Sequence, residues 1–151
     1  MSAPPVVLAS TSKYRRALLE RLGFPFDVEP SHVDEEAYKA HGHAPLALSK
    51  ILAEAKARAV RDRRPGFLVI GSDQVADLDG RVLDKPGTRA NAHAQLGRLA
   101  GRTHALHTAV SIVSPTGSMT TDVVTVRLTM RALTSDAIDR YLDADEPYDC
   151  C

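Results

Sequence analysis

The chain has 151 residues, and Lys+Arg and Asp+Glu both number 19, so its formal net charge is zero. That balance excludes a general nucleic-acid or membrane-surface binder, which needs a basic field, and no apolar run approaches the ~18 residues that span a bilayer. The length suits one domain, or two small lobes sharing a core, able to bury ~70% of the unfolded surface without covalent staples.

Met1-Ser2-Ala3-Pro4-Pro5 carries neither a basic region nor a long apolar stretch, so it does not read as a secretory signal. Val6 to Ala9 is a short apolar strand that runs into Ser10-Thr11-Ser12. Tyr14 to Gly23 then reads as a helix, with Leu18, Leu19 and Leu22 at helical spacing, Ser12 as N-cap and Gly23 as the stop. A strand around Phe26-Asp27-Val28 leads to Val33-Asp34-Glu35-Glu36, and the polar, His-rich residues 37–44 read as a surface loop. Pro45 opens a long helix to about Arg61, with Leu48, Ile51, Leu52, Ala55 and Ala59 as its apolar stripe. Residues 67–70 are four apolar residues in a row, the pattern of a buried strand, expected to end in Gly71-Ser72-Asp73-Gln74. Asp79-Gly80 marks a tight hairpin, and Thr88 caps a helix to about Leu99. Two alternating stretches, 103–113 and 119–130, flank Pro115-Thr116-Gly117 as a second hairpin, and Thr134 caps a last helix over 135–143. Strands alternating with helices before a long hairpin indicate an α/β fold with a mixed sheet. The adjacent Cys150 and Cys151 have no metal-ligand spacing and do not suit a mutual bridge, which points to a reducing, cytoplasmic setting.

Several groups bear on chemistry, each with a bland alternative. Asp73 stands where open α/β sheets place their sites, at the carboxyl end of a strand, but a turn or helix cap uses Asp there too. Ser10-Thr11-Ser12 with Arg15 joins a strand to a helix N-terminus, an anion site with an arginine fork in its first turn; the same residues also make an N-cap beside solvated arginines. Glu35 and Glu36 are site carboxylates or surface charge. Lys56, between Ala55 and Ala57, is a site cation or a lysine snorkelling from a buried face. Pro86 holds Lys85 extended, which fixes its ammonium unless it is simply solvated. His41, His43, His93, His104 and His107 show no ligand pattern and read as loop and surface histidines.

In order, Leu8-Ala9-Ser10-x-Ser12-x-x-Arg15, Val33-Asp34-Glu35, Ala55-Lys56-Ala57, Gly71-Ser72-Asp73-Gln74 and Lys85-Pro86 resemble the motifs of the Maf-type nucleoside triphosphate pyrophosphatases, from residue 6 to Cys150. Gly-Ser-Asp-Gln, with Tyr14 inside the first motif, is similar to the branch that hydrolyses 7-methyl-GTP; the dTTP/UTP branch usually has Thr at position 74 and Arg at position 14. The resemblance implies a single domain with a mixed twisted sheet flanked by helices, like the inosine triphosphatases, in two lobes around a central cleft. It implies cleavage of the α–β phosphoanhydride to a nucleoside monophosphate and pyrophosphate, with a divalent cation, Mg or Mn. Asp73 is then the proton acceptor for the attacking water, directly or through the metal, and Glu35 its metal-binding partner. Ser10, Ser12, Arg15, Lys56 and Lys85 bind substrate, and Tyr14 and Gln74 set base specificity. These residue types suit the reaction: cations neutralise charge on the leaving pyrophosphate, and carboxylates hold a hard ion through oxygen. Tyr14 suits stacking on a cationic methylated base, and Gln74 offers a donor and an acceptor to a base edge.

Two departures stand out. Lys13 replaces the Pro that often follows the second Ser. After Asp149-Cys150 the family continues with Ala-Gly-Ser-Phe/Tyr-Lys and a further stretch that includes a phosphate-facing lysine and a third specificity position, where this chain has Cys151. The expected consequences are an uncovered edge that favours a homodimer or aggregation, and a second functional class, an inactive nucleotide-binding or regulatory protein.

Overall fold

The computed structural model describes residues 2–149; Met1, Cys150 and Cys151, and with them the reading of the paired cysteines, lie outside the described residues. In chain order the elements are β1 (Val6–Leu8), α1 (Lys13–Glu20), β2 (Asp27–Val28), α2 (Glu35–Lys39), α3 (Pro45–Arg63), β3 (Leu68–Leu78), β4 (Arg81–Leu83), α4 (Arg89–Leu99), β5 (Thr103–Val113), β6 (Met119–Thr129) and α5 (Ser135–Asp145). The strands form one mixed sheet in the order β2-β1-β3-β5-β6, with β4 also paired to β3. β1 runs parallel to both β2 and β3, whereas β4 is antiparallel to β3. By compactness the chain divides into one unit of Met1–Gln74 with Thr108–Val124 and a second of Val75–His107 with Thr125–Cys151.

In the first unit, Val7 and Ala9 from β1, Val69 from β3, Ala57 and Val60 from α3 and Val113 from β5 form a buried cluster, with Phe67 and Met119 against it. Helix α3 begins at Pro45, whose missing N–H costs nothing at a helix start. Its buried side is Leu48, Ser49, Leu52, Ala53, Lys56, Ala57 and Val60, a stripe at three- and four-residue spacing. This face is rotated from the expected one: Ile51, Ala55 and Ala59 flank the stripe, and Lys56 lies inside it.

The largest difference from expectation is β3. Gly71-Ser72-Asp73-Gln74 does not end the strand; β3 continues unbroken to Leu78, with buried residues on both faces. Gly71 makes the continuation possible, since a Cβ there would lie 2.2 Å from the Ala53 carbonyl oxygen and 2.8 Å from both the Ala57 nitrogen and Cβ. The helix backbone rests directly on the strand at this point. Asp73 is therefore neither a turn nor a helix cap.

Other elements follow the sequence with local changes. Ser12 caps α1, accepting from the Arg15 N–H, but α1 buries none of its residues, and Leu18 and Leu22 are exposed. The expected loop over 37–44 instead begins inside α2, because Asp34 accepts from the Ala37 N–H and nucleates a turn of helix. Asp79 and Gly80 both have positive φ, 53° and 81°, as a two-residue hairpin requires.

The second unit has its own small core of Ala92, Ile138 and Leu142, with Leu96, Leu133 and Tyr148 packed on it where α4 meets α5. Two histidines expected at the surface are buried in this unit, His104 and His107. Strand alternation buries one, because His107 has an inward position on β5 and finds partners there: Nε2 lies 2.9 Å from Asp77 Oδ2 and Nδ1 lies 2.8 Å from Thr125 Oγ1. Asp77 Oδ1 also accepts from the Gly80 N–H at 2.8 Å, so the hairpin and the histidine share one carboxylate. Buried Nδ1 of His104 has no described partner.

Gly71→Ala is expected to destabilise the protein by about 3 kcal/mol, the upper end of the usual overpacking cost, because the obstructing atoms are backbone. Chemical denaturation of the two proteins measures it, and a cost under about 1 kcal/mol would contradict the close approach of α3 to β3.

Candidate active site

The parallel strands of the first unit set the place. β1 pairs with Leu68, Val69 and Ile70 of β3, and the Ala9 N–H closes the ladder on the Ile70 carbonyl at 2.8 Å. From Gly71 onward β3 extends beyond β1, while the chain after Ala9 turns through Ser10–Ser12 into α1. Open α/β sheets bind ligands outside the carboxyl ends of parallel strands, and here that end carries Ser10, Ser12, Arg15 and residues 72–74.

The loop after β2 brings in a further carboxylate. Arg63 at the end of α3 donates from Nε to Glu29 Oε1 at 2.8 Å, and Arg64 donates to the other Glu29 oxygen and, at 3.2 Å, to Asp27. These bonds tie β2 and its outgoing loop to α3. The loop then passes through His32 in the left-handed region, φ 58°, and enters α2, which packs on α3. Glu35, the first residue of α2, thereby reaches Lys56.

Lys56 is the centre of the arrangement. Its Nζ donates to Asp73 Oδ1 at 2.7 Å and to Glu35 Oε1 at 2.7 Å. Lys56 and Asp73 side chains are each only 7% exposed, so this ion pair is shielded from water, whereas Glu35 is about half-buried. Burial pushes the Asp73 carboxyl above its ordinary value, with Glu35 adding to the rise, and the nearby charges of Lys56 and Arg15 only partly offset it. For Glu35 burial acts in the same upward sense, but the Lys56 hydrogen bond and the charges of Lys56, Lys39 and Arg15 outweigh it and hold the carboxyl below the ordinary glutamate value. Two neighbouring carboxylates are thus driven apart in basicity, because burial prevails at Asp73 and the surrounding cations prevail at Glu35.

The remaining residues divide by location. Ser10 is buried, and its Oγ accepts from the Ser12 N–H at 3.0 Å; Ser12 Oγ in turn accepts from the Arg15 N–H at 3.3 Å. The serines shape the turn as well as lining it. Tyr14 is half-exposed, and the Lys13 ammonium sits 5.0 Å from the centre of its ring. Strand alternation turns Gln74 to the side of β3 opposite Asp73, away from α3. There its Oε1 accepts from Thr108 Oγ1 at 2.9 Å. Thr108, on β5, is the functional candidate that motif spacing does not reveal, because only the sheet order brings it beside Gln74. Lys85 belongs to the second unit, in the loop between β4 and α4, which is fixed by bonds from Gln95 to the Asp84 carbonyl, from Asn91 to the Pro86 carbonyl and from the Gly87 N–H to the Tyr148 carbonyl.

Among the described residues no group of three or more His, Cys, Asp or Glu side chains converges to hold a metal. Asp73 and Glu35 together supply oxygen donors of the kind Mg or Mn takes through one or two carboxylates, with water and substrate phosphates completing the shell. Each carboxylate uses one described oxygen on Lys56, which leaves the second oxygen of each to meet such an ion. The donor set fits a cation that arrives with a phosphate ligand and does not fit a self-contained protein cage.

Residues 5–151 match the family of Maf-like proteins. The chain belongs to that family. A protein from Xanthomonas oryzae pv. oryzae named 7-methyl-GTP pyrophosphatase is 53% identical over 148 residues, covering 97% of this chain and 76% of its own length. Proteins of the same name from Polaromonas and Bordetella avium are 49% and 47% identical, each over 97% of this chain and over 66% and 73% of their own lengths. Among solved structures the fold is similar to that of a nucleoside-triphosphatase, a dITP/XTP pyrophosphatase from Mycobacterium abscessus, with TM-score 0.53, 17% identity and coverage of 94% of this chain and 95% of that one. It is also similar to the Staphylococcus aureus Ham1 protein, with TM-score 0.54, 18% identity and coverage of 82% and 70%. At these identities the structural likeness is one of fold, and it establishes the α/β class with a mixed sheet flanked by helices for this Maf-like chain. No helix among the described residues is long and apolar enough to cross a membrane.

Lys56→Met is expected to destabilise the fold by about 3 kcal/mol, because it leaves buried Asp73 without its partner. Lys56→Met/Asp73→Asn should recover part of that loss in the same denaturation experiment. Proton binding gives a second check. Asp73 holds its proton more tightly folded than unfolded, so its contribution is fully present below pH 3.8 and is lost as the pH rises through its raised folded value. Glu35 acts oppositely, adding stability above pH 4.5 that is lost as the pH falls. Asp73→Asn should therefore gain in melting temperature relative to wild type as the pH is raised from about 3.5 to about 7; a constant or shrinking difference would contradict a buried, reluctantly ionised Asp73.

Proposed function

We propose that this Maf-like protein hydrolyses a nucleoside triphosphate at the α–β phosphoanhydride, with 7-methyl-GTP as the preferred substrate. The observation that carries the proposal is the buried Lys56 bridging Asp73 and Glu35 beside the Ser10–Arg15 turn. The names of relatives about 50% identical over almost the whole chain support the substrate.

In this reading water attacks phosphorus, the α–β anhydride bond breaks, and a nucleoside monophosphate and pyrophosphate leave. Asp73 is the proton acceptor for the attacking water, directly or through an ion held on Oδ2, while Oδ1 stays on Lys56. A carboxyl whose basicity burial has raised is better matched to that task than an ordinary aspartate. The Arg15 side chain, in the first turn of α1, and the N-terminus of that helix face the phosphates, where the helix dipole favours negative charge. Ser10 and Ser12 hydroxyls donate to the phosphates while their oxygens keep the turn in shape. Lys56 takes up charge that grows on the reacting phosphoryl group, and Lys85 is the further phosphate cation assigned by the family motif. A divalent ion held by Glu35 and Asp73 would neutralise phosphate charge and polarise the scissile bond. Tyr14 stacks on the base and Gln74 reads its edge. A ligand lying across the end of β1 against the flank of β3 meets Asp73 on one side of the strand and Gln74 on the other.

The test is pyrophosphate release from 7-methyl-GTP, dTTP and UTP with Mg or Mn, for wild type and Asp73→Asn. Loss of at least about a hundredfold in kcat on 7-methyl-GTP is expected, as for a lost general base. Equal rates in the two proteins sink the role of Asp73, and a preference for dTTP or UTP sinks the substrate.

A further inference from the structure

The donor direction at Gln74 has a consequence for which bases the site accepts. Gln74 is half-buried, and its Oε1 is engaged by Thr108 Oγ1 at 2.9 Å. Its Nε2 donates to no described residue. A primary amide with its oxygen engaged presents its NH2 end. Thr108 is suited to hold it, since a β-branched side chain on a strand has a stiff χ1 and keeps its hydroxyl in one place. Gln74, by contrast, is long and rotamer-rich, and without an anchor either end of its amide turns toward a ligand with similar ease.

We propose that Thr108 is a positioning residue for base selection: by donating to Gln74 Oε1 it commits Gln74 to act as a hydrogen-bond donor, so that the site accepts nucleotides whose base offers an oxo acceptor and disfavours those that offer an exocyclic amino group. The inference rests on the nucleotide-hydrolysing reading above. The chemistry that matches is the guanine O6 edge. Methylation at N7 removes the neighbouring acceptor and leaves O6 as the one acceptor on that edge. Adenine places an amino group at the same position, and two NH2 groups then face each other with an unpaired donor on each, a mismatch of the kind that gives polar sites their discrimination. Anchoring before the ligand arrives also lowers the ordering cost of binding, so the effect belongs in affinity more than in turnover.

The experiment compares wild type, Thr108→Val and Thr108→Ser on 7-methyl-GTP and ATP. Valine keeps the shape and removes the donor; serine keeps the donor. Thr108→Val is expected to raise KM for 7-methyl-GTP about tenfold, as for one lost hydrogen bond, with kcat within about twofold. KM for ATP should stay or fall, so that the preference between the two narrows about tenfold. Thr108→Ser should restore both values. Equal losses on the two nucleotides, or loss in serine as well as valine, would show a merely structural role and overturn the proposal. Should the wild type turn over neither nucleotide, the hydrolytic reading fails by itself, and calorimetric binding of 7-methyl-GMP and AMP to the same three proteins reads the selection directly. The same narrowing in the ratio of dissociation constants is then expected, and a wild type that binds both monophosphates equally, or neither, overturns the inference.

Discussion

One ammonium holds the first unit's polar interior together. Asp73 and Glu35 approach a common point, and without a cation between them two neighbouring carboxylates in a water-poor place could not both stay ionised. Lys56 supplies that cation from inside the buried stripe of α3. Its two 2.7 Å bonds connect β3, α2 and α3. Taking a lysine out of water is costly, and a site that does so with two acid partners forms a poised arrangement rather than a stability device. The consequence is an asymmetric pair of carboxylates: one deep and raised in basicity, one nearer solvent and lowered.

The rest of the unit can be understood as support for that contact. Gly71 lets the α3 backbone lie on β3, which sets the depth of Lys56 relative to the strand. A larger residue would lift the helix and lengthen the Lys56–Asp73 bond. The Arg63 and Arg64 bonds to Glu29 fasten the loop from β2, so that α2 starts where Glu35 can meet Nζ. The early end of β1 at Leu8 leaves the following turn to carry Ser10, Ser12 and Arg15 next to the extension of β3. The Gly71 contact and the end of β1 are backbone features, whereas the Arg63 and Arg64 bonds to Glu29 are partly exposed ion pairs, the kind that contributes less.

Much of this was legible in the residues, and the parts that were not share a cause. Element types followed from apolar periodicity and caps: Ser12, Thr88 and Thr134 cap the helices they were expected to cap. The length of β3 did not follow, because Gly71-Ser72-Asp73-Gln74 has the composition of a turn; its strand character comes from helix and strand neighbours that cover both faces. Lys56 shows the same limit. Counted with Leu48, Ser49, Leu52, Ala53 and Val60, its spacing already places it on the buried side, yet a charged residue is normally assigned outward, and only its two acid partners explain the exception. His107 was placed at the surface for want of a visible partner, and Asp77 lies thirty positions away in sequence. The nearness of Arg15, Glu35, Lys56 and Asp73 follows the family order of their motifs, whereas Lys85 belongs to the second unit. The pairing of Gln74 with Thr108 was not readable, since it depends on which strand lies next to β3.

Under the proposed reaction, strand pleating lets two adjacent residues serve different ends of one ligand. In a pleated strand, neighbours face opposite ways, so Asp73 belongs to the helix-covered face and Gln74 to the other. Had β3 turned at Gly71, as its composition invites, both side chains would have emerged from a loop with no fixed division between them. As a strand, the same four residues separate a buried, raised carboxyl from an amide whose nitrogen donates to no described residue, and they do so with no spacer. Chemistry at phosphorus needs a dry base with its cation nearby, whereas reading a base needs a polar group that meets the ligand with the correct end. A continuous strand running beyond β1 satisfies both requirements at once, with α3 on one side of it and Thr108 on the other.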